Sequence, residues 1–296
     1  SMGGAPMRQA KASLQLALQR LKPGDRFNIT DFDSQHTLLF EQPATVNDAS
    51  RQQAQDFVDS LQASGGTHML PALSATLGQP ISDGYLRQVI FITDGAVGNE
   101  NGIFQALHQQ LGEARLFTVG IGSAPNSHFM TRAAQFGRGS FTYINDQNQV
   151  QQGMDTLFRR LESPLMRNLQ VALPDGIVAE HWPQKLPDLY AGEPLLVAMK
   201  LSAPTDQITV SGYRDRHWQQ QVALPANDNH PGTGSLWARR KIADLMDRIT
   251  LGAPETDIAP QITQVALRHQ LVSRYTSFIA VEETVSRPAY EPLLQD

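Results

Sequence analysis

The chain of 296 residues contains no cysteine, which excludes disulfides and thiolate metal sites. No apolar run approaches the ~20 residues that a membrane helix needs, and no signal-peptide pattern is visible. Net charge is −5, with acids and bases interspersed. That pattern leaves no basic stripe for nucleic acid and no acidic block of the kind that forms a disordered tail. Internal repeats and low-complexity segments are absent, as are an HExxH pair and a nucleophile elbow. What is present is a hydrophobic fraction of 41%, enough to build a core over a length that suits one large or two medium domains.

The first half alternates between helical and strand patterns. Pro6 suits a first helical turn, and Ala10, Leu14, Ala17, Leu18 and Leu21 recur at helical spacing. RFNITDF (26–32) reads as a strand with LLF (38–40) as its antiparallel neighbour. Asn47 is a cap for a helix bearing Ala54, Phe57, Val58 and Leu61, and a further helix begins near Pro71. RQVIFIT (87–93) and RLFTVGI (115–121) are nearly continuous apolar runs, as expected of strands buried on both faces. Helices are expected near 101–112 and 126–136, then a strand SFTYI (140–144). Asp146 caps a last helix carrying Val150, Met154, Leu157, Phe158 and Leu161. This alternation predicts an α/β fold with a doubly wound, mostly parallel sheet over residues 1–162. From 163 to 232 the rhythm changes to short strands separated by Pro and Gly, predicting an antiparallel, sandwich-like region. Residues 233–296 read as two helices, about 235–251 and 255–272, and a terminal strand SFIAVEE (277–283).

A doubly wound sheet binds its ligands outside the carboxyl ends of its strands. Thr93-Asp94-Gly95 closes the run RQVIFIT and presents a carboxylate at that rim. Gly65-Gly66-Thr67 brings a hydroxyl on a flexible backbone, and Ser1-Met2-Gly3-Gly4 brings another just before a helix. Two hydroxyls and one carboxylate make an all-oxygen site for a hard cation. Mg²⁺ accepts few protein oxygens and completes its octahedron with water and a partner's carboxylate.

On these residues the chain resembles a von Willebrand factor type A domain. GGTHM, ITDGAVGNE, LFTVGIGSAPNSHFMTRAAQFGRGSF, LPDLYAGEPL, LWARRKIADLMD and ALRHQLVSRYTSFIAVE narrow the resemblance to the inter-alpha-trypsin inhibitor heavy-chain group and its marine proteobacterial sortase targets. The resemblance implies a metal-ion-dependent adhesion site, MIDAS, with Ser1, Thr67 and Asp94 as metal ligands. Gly3, Gly66, His68, Gly95 and His128 form the partner-binding rim. Thr67 coordinates directly, Asp94 directly or through water. It also implies a hydrophobic strand ending in Asp-x-Ser-x ahead of residue 1, and before that an inter-alpha-trypsin (VIT) domain. Without that strand, binding of Mg²⁺, Mn²⁺ or Ca²⁺ is expected to be weak or absent, two strand edges are open, and a homodimer through the exposed edge is one outcome. The implied function is a non-enzymatic adhesion module, in the cell envelope or secreted, whose protein partner presents an acidic side chain.

Other readings of the same residues stay open. Asp94 after a buried strand can simply cap the next element, and Gly-Gly-Thr is common loop chemistry. Gly120-x-Gly122 lacks the third glycine of a dinucleotide loop, so a turn is expected there. Asp31 and Asp33 form a strand-end turn rather than a phosphotransfer pair, since no phosphate loop accompanies them. His68 and His128 could be plain solvated histidines. The basic run at 237–241 is expected on a solvated helix face with Trp237 buried. A structural scaffold with a vestigial metal site is the alternative function, and a doubly wound hydrolase a more distant one.

Overall fold

The computed structural model describes residues 2–63, 65–94, 98–123, 125–162, 164–190, 194–214, 216–225, 230 and 232–279. They divide into two compact units, 1–229 and 230–296.

Helix α1 (Ala5–Arg20) starts where the sequence permits: Gly4 takes φ 77°, and Pro6 sits in the first turn with its ring already at helical φ. Short strands follow: β1 (Arg26–Phe27), β2 (Thr30–Phe32), β3 (His36–Leu38) and β4 (Ala44–Thr45). The expected strand over 26–32 is broken at Asn28. Its side-chain amide takes the place of a ladder partner: the carbonyl oxygen accepts from the Phe40 N–H at 2.9 Å, and the NH₂ donates to the Phe40 carbonyl at 2.8 Å. β2 pairs antiparallel with β3, which ends at Leu38 and so lies two residues ahead of the expected LLF (38–40), and β1 pairs with β4. Helix α2 (Asp48–Ser60) is capped by Asn47, whose carbonyl oxygen accepts from Ser50 N–H at 2.9 Å while its own N–H donates to Ser50 Oγ. Helix α3 (Met69–Gly78) leads into β5 (Gln88–Thr93), α4 (Glu100–Gln110), β6 (Arg115–Ile121), α5 (Ser127–Phe136) and β7 (Arg138–Ile144). Asp146 caps a short 3₁₀ turn that runs into α6 (Val150–Glu162).

Strands β5, β6 and β7 form a parallel sheet in that order. Every residue of β6 is buried. Period-two alternation sends Phe117, Val119 and Ile121 into one core with Ala10 of α1 and Val150, Met154, Leu157 and Phe158 of α6. Leu116 goes the other way, against Ile103 and Leu107 of α4 and Phe129 of α5. The sheet is therefore covered on both faces, the doubly wound arrangement that alternating elements predict. β5 departs from expectation. Its residues Ile90, Phe91 and Ile92 are only half-buried, because β6 is its one strand neighbour among the described residues and its other edge is open.

β-rich segments follow: β8 (Pro164–Ala172), β9 (Ala179–Trp182), β10 (Leu189–Tyr190), β11 (Ala198–Leu201), β12 (Gln207–Tyr213) and β13 (His217–Ala223). They form an antiparallel sheet β10-β8-β12-β13 and a separate pair β11-β9. These strands belong to the same compact unit as the parallel sheet, and specific contacts tie the two together. Arg115, at the start of β6, meets Asp188 through Nε at 2.5 Å and Nη2 at 3.1 Å, both side chains 2% exposed. Tyr190 sets its ring edge-on to Phe117 and donates its hydroxyl to the Arg138 carbonyl. In the second unit, α7 (Thr233–Thr250) and α8 (Glu255–Arg268) pack through Leu245, Ile258 and Ile262, and Trp237 is buried as expected. The expected terminal strand does not begin by 277–279, where no described strand offers a partner and Phe278 and Ile279 are exposed. The rest of SFIAVEE lies outside the described residues.

Two charges buried together are stable only as a pair. Asp188→Ala is expected to cost about 3–5 kcal/mol by leaving the Arg115 guanidinium buried without a counter-charge. Urea unfolding measures the loss, and Arg115→Met combined with Asp188→Leu is expected to recover most of it.

Candidate functional site

A cleft of about 1020 Å³ separates β2 from β5. Its two side walls are helices. Ala10, Leu14 and Ala17 of α1 line one, and Ala72, Leu73 and Thr76 of α3 the other. β2 and β5 run in the same direction along it. Near their starts both reach Gln79: the Asn28 amide donates to its side chain at 3.3 Å, and the Arg87 guanidinium to its carbonyl. Towards their ends Phe32 and Phe91 stack, centroids 5.7 Å apart and planes 11° from parallel. No backbone ladder joins the two strands.

The polar residues collect at the carboxyl end of the cleft. Asp94 follows β5 directly and is half-buried. Beyond β2, Asp33 closes a tight turn, its carboxylate accepting from the Gln35 N–H at 2.8 Å. This is the strand-end turn role expected for Asp33. The turn also does something the sequence reading missed: it anchors the Gly-Gly-Thr loop. The Asp33 carbonyl accepts from His68 N–H at 2.7 Å, and Ser34 Oγ accepts from Gly66 N–H at 3.0 Å. The approach explains the glycines, since a Cβ on Gly65 would lie 2.9 Å from Ser34 Oγ. A hydroxyl residue directly after an Asp at a strand end was the only local sign of this anchor. Thr67 is thereby held on the same cleft as Asp94, with Met2, Gly3 and Gly66.

The remaining expected site residues fall differently. His68 is exposed beside Gly66, its Cδ2 and Nε2 each 3.7 Å from where a Cβ on that glycine would stand. His128 is exposed on the first turn of α5 and is not in the cleft lining, because α5 follows β6, one strand further across the sheet. Ser1 and Gly95 lie outside the described residues. Thr67 and Asp94 offer two hard oxygens of the kind Mg²⁺ accepts, and no cluster of three or more His, Asp or Glu suited to a metal occurs among the described residues. The donors thus fit a cation that leaves most of its coordination to water and to an outside ligand.

Asp31, in β2, also lines the cleft. Burial pushes its carboxyl above the usual range, and the nearby Asp33 charge adds to this, against a backbone hydrogen bond at Phe32 that pulls it down.

An open parallel α/β sheet covered by helices on both faces defines a doubly wound domain, the kind of fold that binds ligands at the carboxyl end of its strands. Residues 1–143 match the family model of the von Willebrand factor type A domain. Domains of this family are protein-interaction modules, some of them with a MIDAS. Two von Willebrand factor A domain-containing proteins of Dictyostelium discoideum are each 25% identical over 307 residues, 99% of this chain and 37% and 33% of their own lengths. A mouse protein named protein mono-ADP-ribosyltransferase PARP4 is 26% identical over 96% of this chain, which spans 15% of that protein. The chain thus spans about a third of the length of the first of these curated relatives. Among solved structures, a von Willebrand factor type A protein from Catenulispora acidiphila superposes with TM-score 0.57 at 15% identity, covering 90% of this chain and 75% of that one. The ArnB paralog VWA2 from Sulfolobus acidocaldarius gives 0.50 at 19%, covering 92% and 78%. These likenesses establish the fold.

Because the folded state holds the Asp31 proton more tightly than the unfolded chain, stability contributed by this group falls as pH rises through the carboxylate range. Asp31→Asn is expected to raise the melting temperature slightly at pH 7. The advantage should vanish once the pH falls below the ordinary aspartate range, ~3.9. Paired thermal melts of the two proteins across that range check both the sign and the window.

Proposed function

We propose that the carboxyl end of the cleft is a cation-assisted site for an acidic side chain of a protein partner. The observation that carries this reading is the anchored loop: two backbone-linked hydrogen bonds from the Asp33-Ser34 turn hold Thr67 on the cleft that Asp94 also lines. Thr67 and Asp94 are the donors from the described residues, joined by Ser1. Gly3, Gly66 and His68 form the rim, extended by Gly95. A divalent cation bound there would supply an electrophilic centre for an external carboxylate. The protein's own part is to present few anions, so that the bound ion keeps enough positive charge to attract one more. Glycines at the rim leave room for the partner's backbone.

The resemblance to the inter-alpha-trypsin inhibitor heavy-chain group supports a wider setting for this site. In that setting the chain is a cell-envelope or secreted adhesion module, preceded by a strand ending in Asp-x-Ser-x and a VIT domain. No described helix is long and apolar enough to cross a membrane. A scaffold with a vestigial metal site is the second reading, favoured by the small number of donors among the described residues.

Calorimetric titration with Mg²⁺ and Mn²⁺ separates the two. Tight binding is expected for the chain extended by an upstream strand ending in Asp-x-Ser-x, and weak or no binding for the chain of 296 residues. In the extended protein, Thr67→Ala and Asp94→Ala are each expected to weaken binding at least tenfold, about 1.4 kcal/mol. If the extended protein binds neither ion, the scaffold reading replaces the cation site.

A further inference from the structure

The antiparallel sheet β10-β8-β12-β13 ends on β13, and β13 is not built like an edge. Open edges are ordinarily guarded by a charge, a proline, a bulge or a short length. β13, with the sequence HWQQQVA, runs seven residues in unbroken register with β12 and contains no Lys, Arg, Asp, Glu or Pro. Every one of its residues is exposed.

The directions of its backbone groups follow from the hairpin it forms with β12. Arg214 N–H donates to the Arg216 carbonyl at 3.2 Å at one end of that hairpin, and Leu224 N–H to the Asp206 carbonyl at 2.7 Å at the other. Hydrogen-bonded and non-hydrogen-bonded pairs alternate along an antiparallel ladder, so Trp218, Gln220 and Val222 turn their N–H and C=O towards β12. His217, Gln219, Gln221 and Ala223 turn theirs outward, where no described strand meets them. The side chains of Trp218, Gln220 and Val222 share one face. Trp218 stands opposite Gly212, which has no side chain to cover the indole, and Trp218 and Val222 are each 37% exposed.

We propose that β13 pairs antiparallel with β13 of a second copy of this chain, about a two-fold axis through Gln220. In that register every outward N–H and C=O from His217 to Ala223 meets an outward partner: His217 opposes Ala223 of the second copy, and Gln219 opposes Gln221. The closer, non-hydrogen-bonded pairs fall between them. Trp218 meets Val222 of the second copy, an aromatic against a β-branched residue, and the two Gln220 side chains meet at the axis. Sliding the register by one residue sets outward groups against inward ones. Sliding it by two sets Gln220 against Trp218 or Val222, polar against apolar. No like charges face each other, since His217, the one titratable residue of the strand, lies opposite Ala223. The order Trp-Gln-Gln-Gln-Val is thus complementary to its own reverse, which is the condition that a two-fold interface imposes and an unrelated strand does not. The pairing uses no residue of the cleft, so it stands or falls apart from the cation site.

Sedimentation velocity of the 296-residue chain is expected to show a concentration-dependent dimer with a roughly micromolar Kd. Gln220→Lys sets two ammonium groups against each other at the axis, and it should weaken the dimer at least about tenfold without lowering the melting temperature of the dilute chain. Gln220→Glu should do the same, and an equimolar mixture of the two variants should restore the dimer. Gln219→Pro removes an outward N–H and no bond to β12, so it should also weaken pairing at least about tenfold. With rising concentration, amide exchange should slow roughly tenfold or more at Gln219 and Gln221 and stay unchanged at Ile90–Ile92 of β5. Because the chain has no cysteine, Gln220→Cys should cross-link to a disulfide dimer under copper-phenanthroline oxidation, and Gln170→Cys, on β8 inside the same sheet, should not. A chain that stays monomeric at ~100 μM, a dimer that Gln220→Lys leaves intact, a mixture that does not re-form it, protection at Ile90–Ile92 in place of β13, or equal cross-linking of the two cysteine variants would each overturn the proposal.

Discussion

Among the described residues strand β5 has no strand on its outer side, and the burial of the parallel-sheet half follows from that edge. A strand's outer N–H and C=O groups need partners once they leave water, so an open edge in the middle of a covered sheet cannot simply be closed over by helices. α1 and α3 stay apart here, lining opposite sides of a cleft of about 1020 Å³ rather than meeting. Where β6 has strands on both sides, it is wholly buried; where β5 has one, its centre is half-exposed. Neighbours one strand apart in the same sheet differ because of a single pairing.

The opposite end of the sheet is held differently. Arg115 enters β6 with its guanidinium buried against Asp188, and Tyr190 packs on Phe117 two residues along. A buried ion pair adds little net stability compared with an apolar pair, but it tolerates few alternative arrangements. It therefore fixes the register of the β-rich segment on the foot of the sheet, leaving the carboxyl end, with Thr67 and Asp94, facing outward. The buried ion pair lies at one pole and the candidate site at the other, the end where doubly wound folds place their ligands.

Within the candidate site, the anchoring of the Gly-Gly-Thr loop depends on backbone groups. Gly66 and His68 are held through their N–H groups, one to a serine hydroxyl and one to a main-chain carbonyl. Sequence reading sees side chains that could ligate; it does not see which backbone N–H will find which carbonyl across 35 residues. That Thr67 and Asp94 would lie on one cleft could be expected from the Gly-Gly-Thr loop and the strand end before Asp94. Ser34 was not, because its role exists only when two distant loops meet. His128 was read onto the rim from its place after a strand end, and it sits away from the cleft because its helix follows β6 rather than β5.

Local patterns alone determined most of the elements. Pro6 starts α1 and Asn47 caps α2 through contacts within a few residues, and the apolar runs at 88–93 and 115–121 marked strands by their continuity. Only the tertiary structure decided the break at Asn28, the half-burial of β5, the Arg115–Asp188 lock and the direction of β2 beside β5. Each of those rests on a partner far away in the chain. Periodicity reports which face of an element is apolar, and it carries no record of what stands opposite that face.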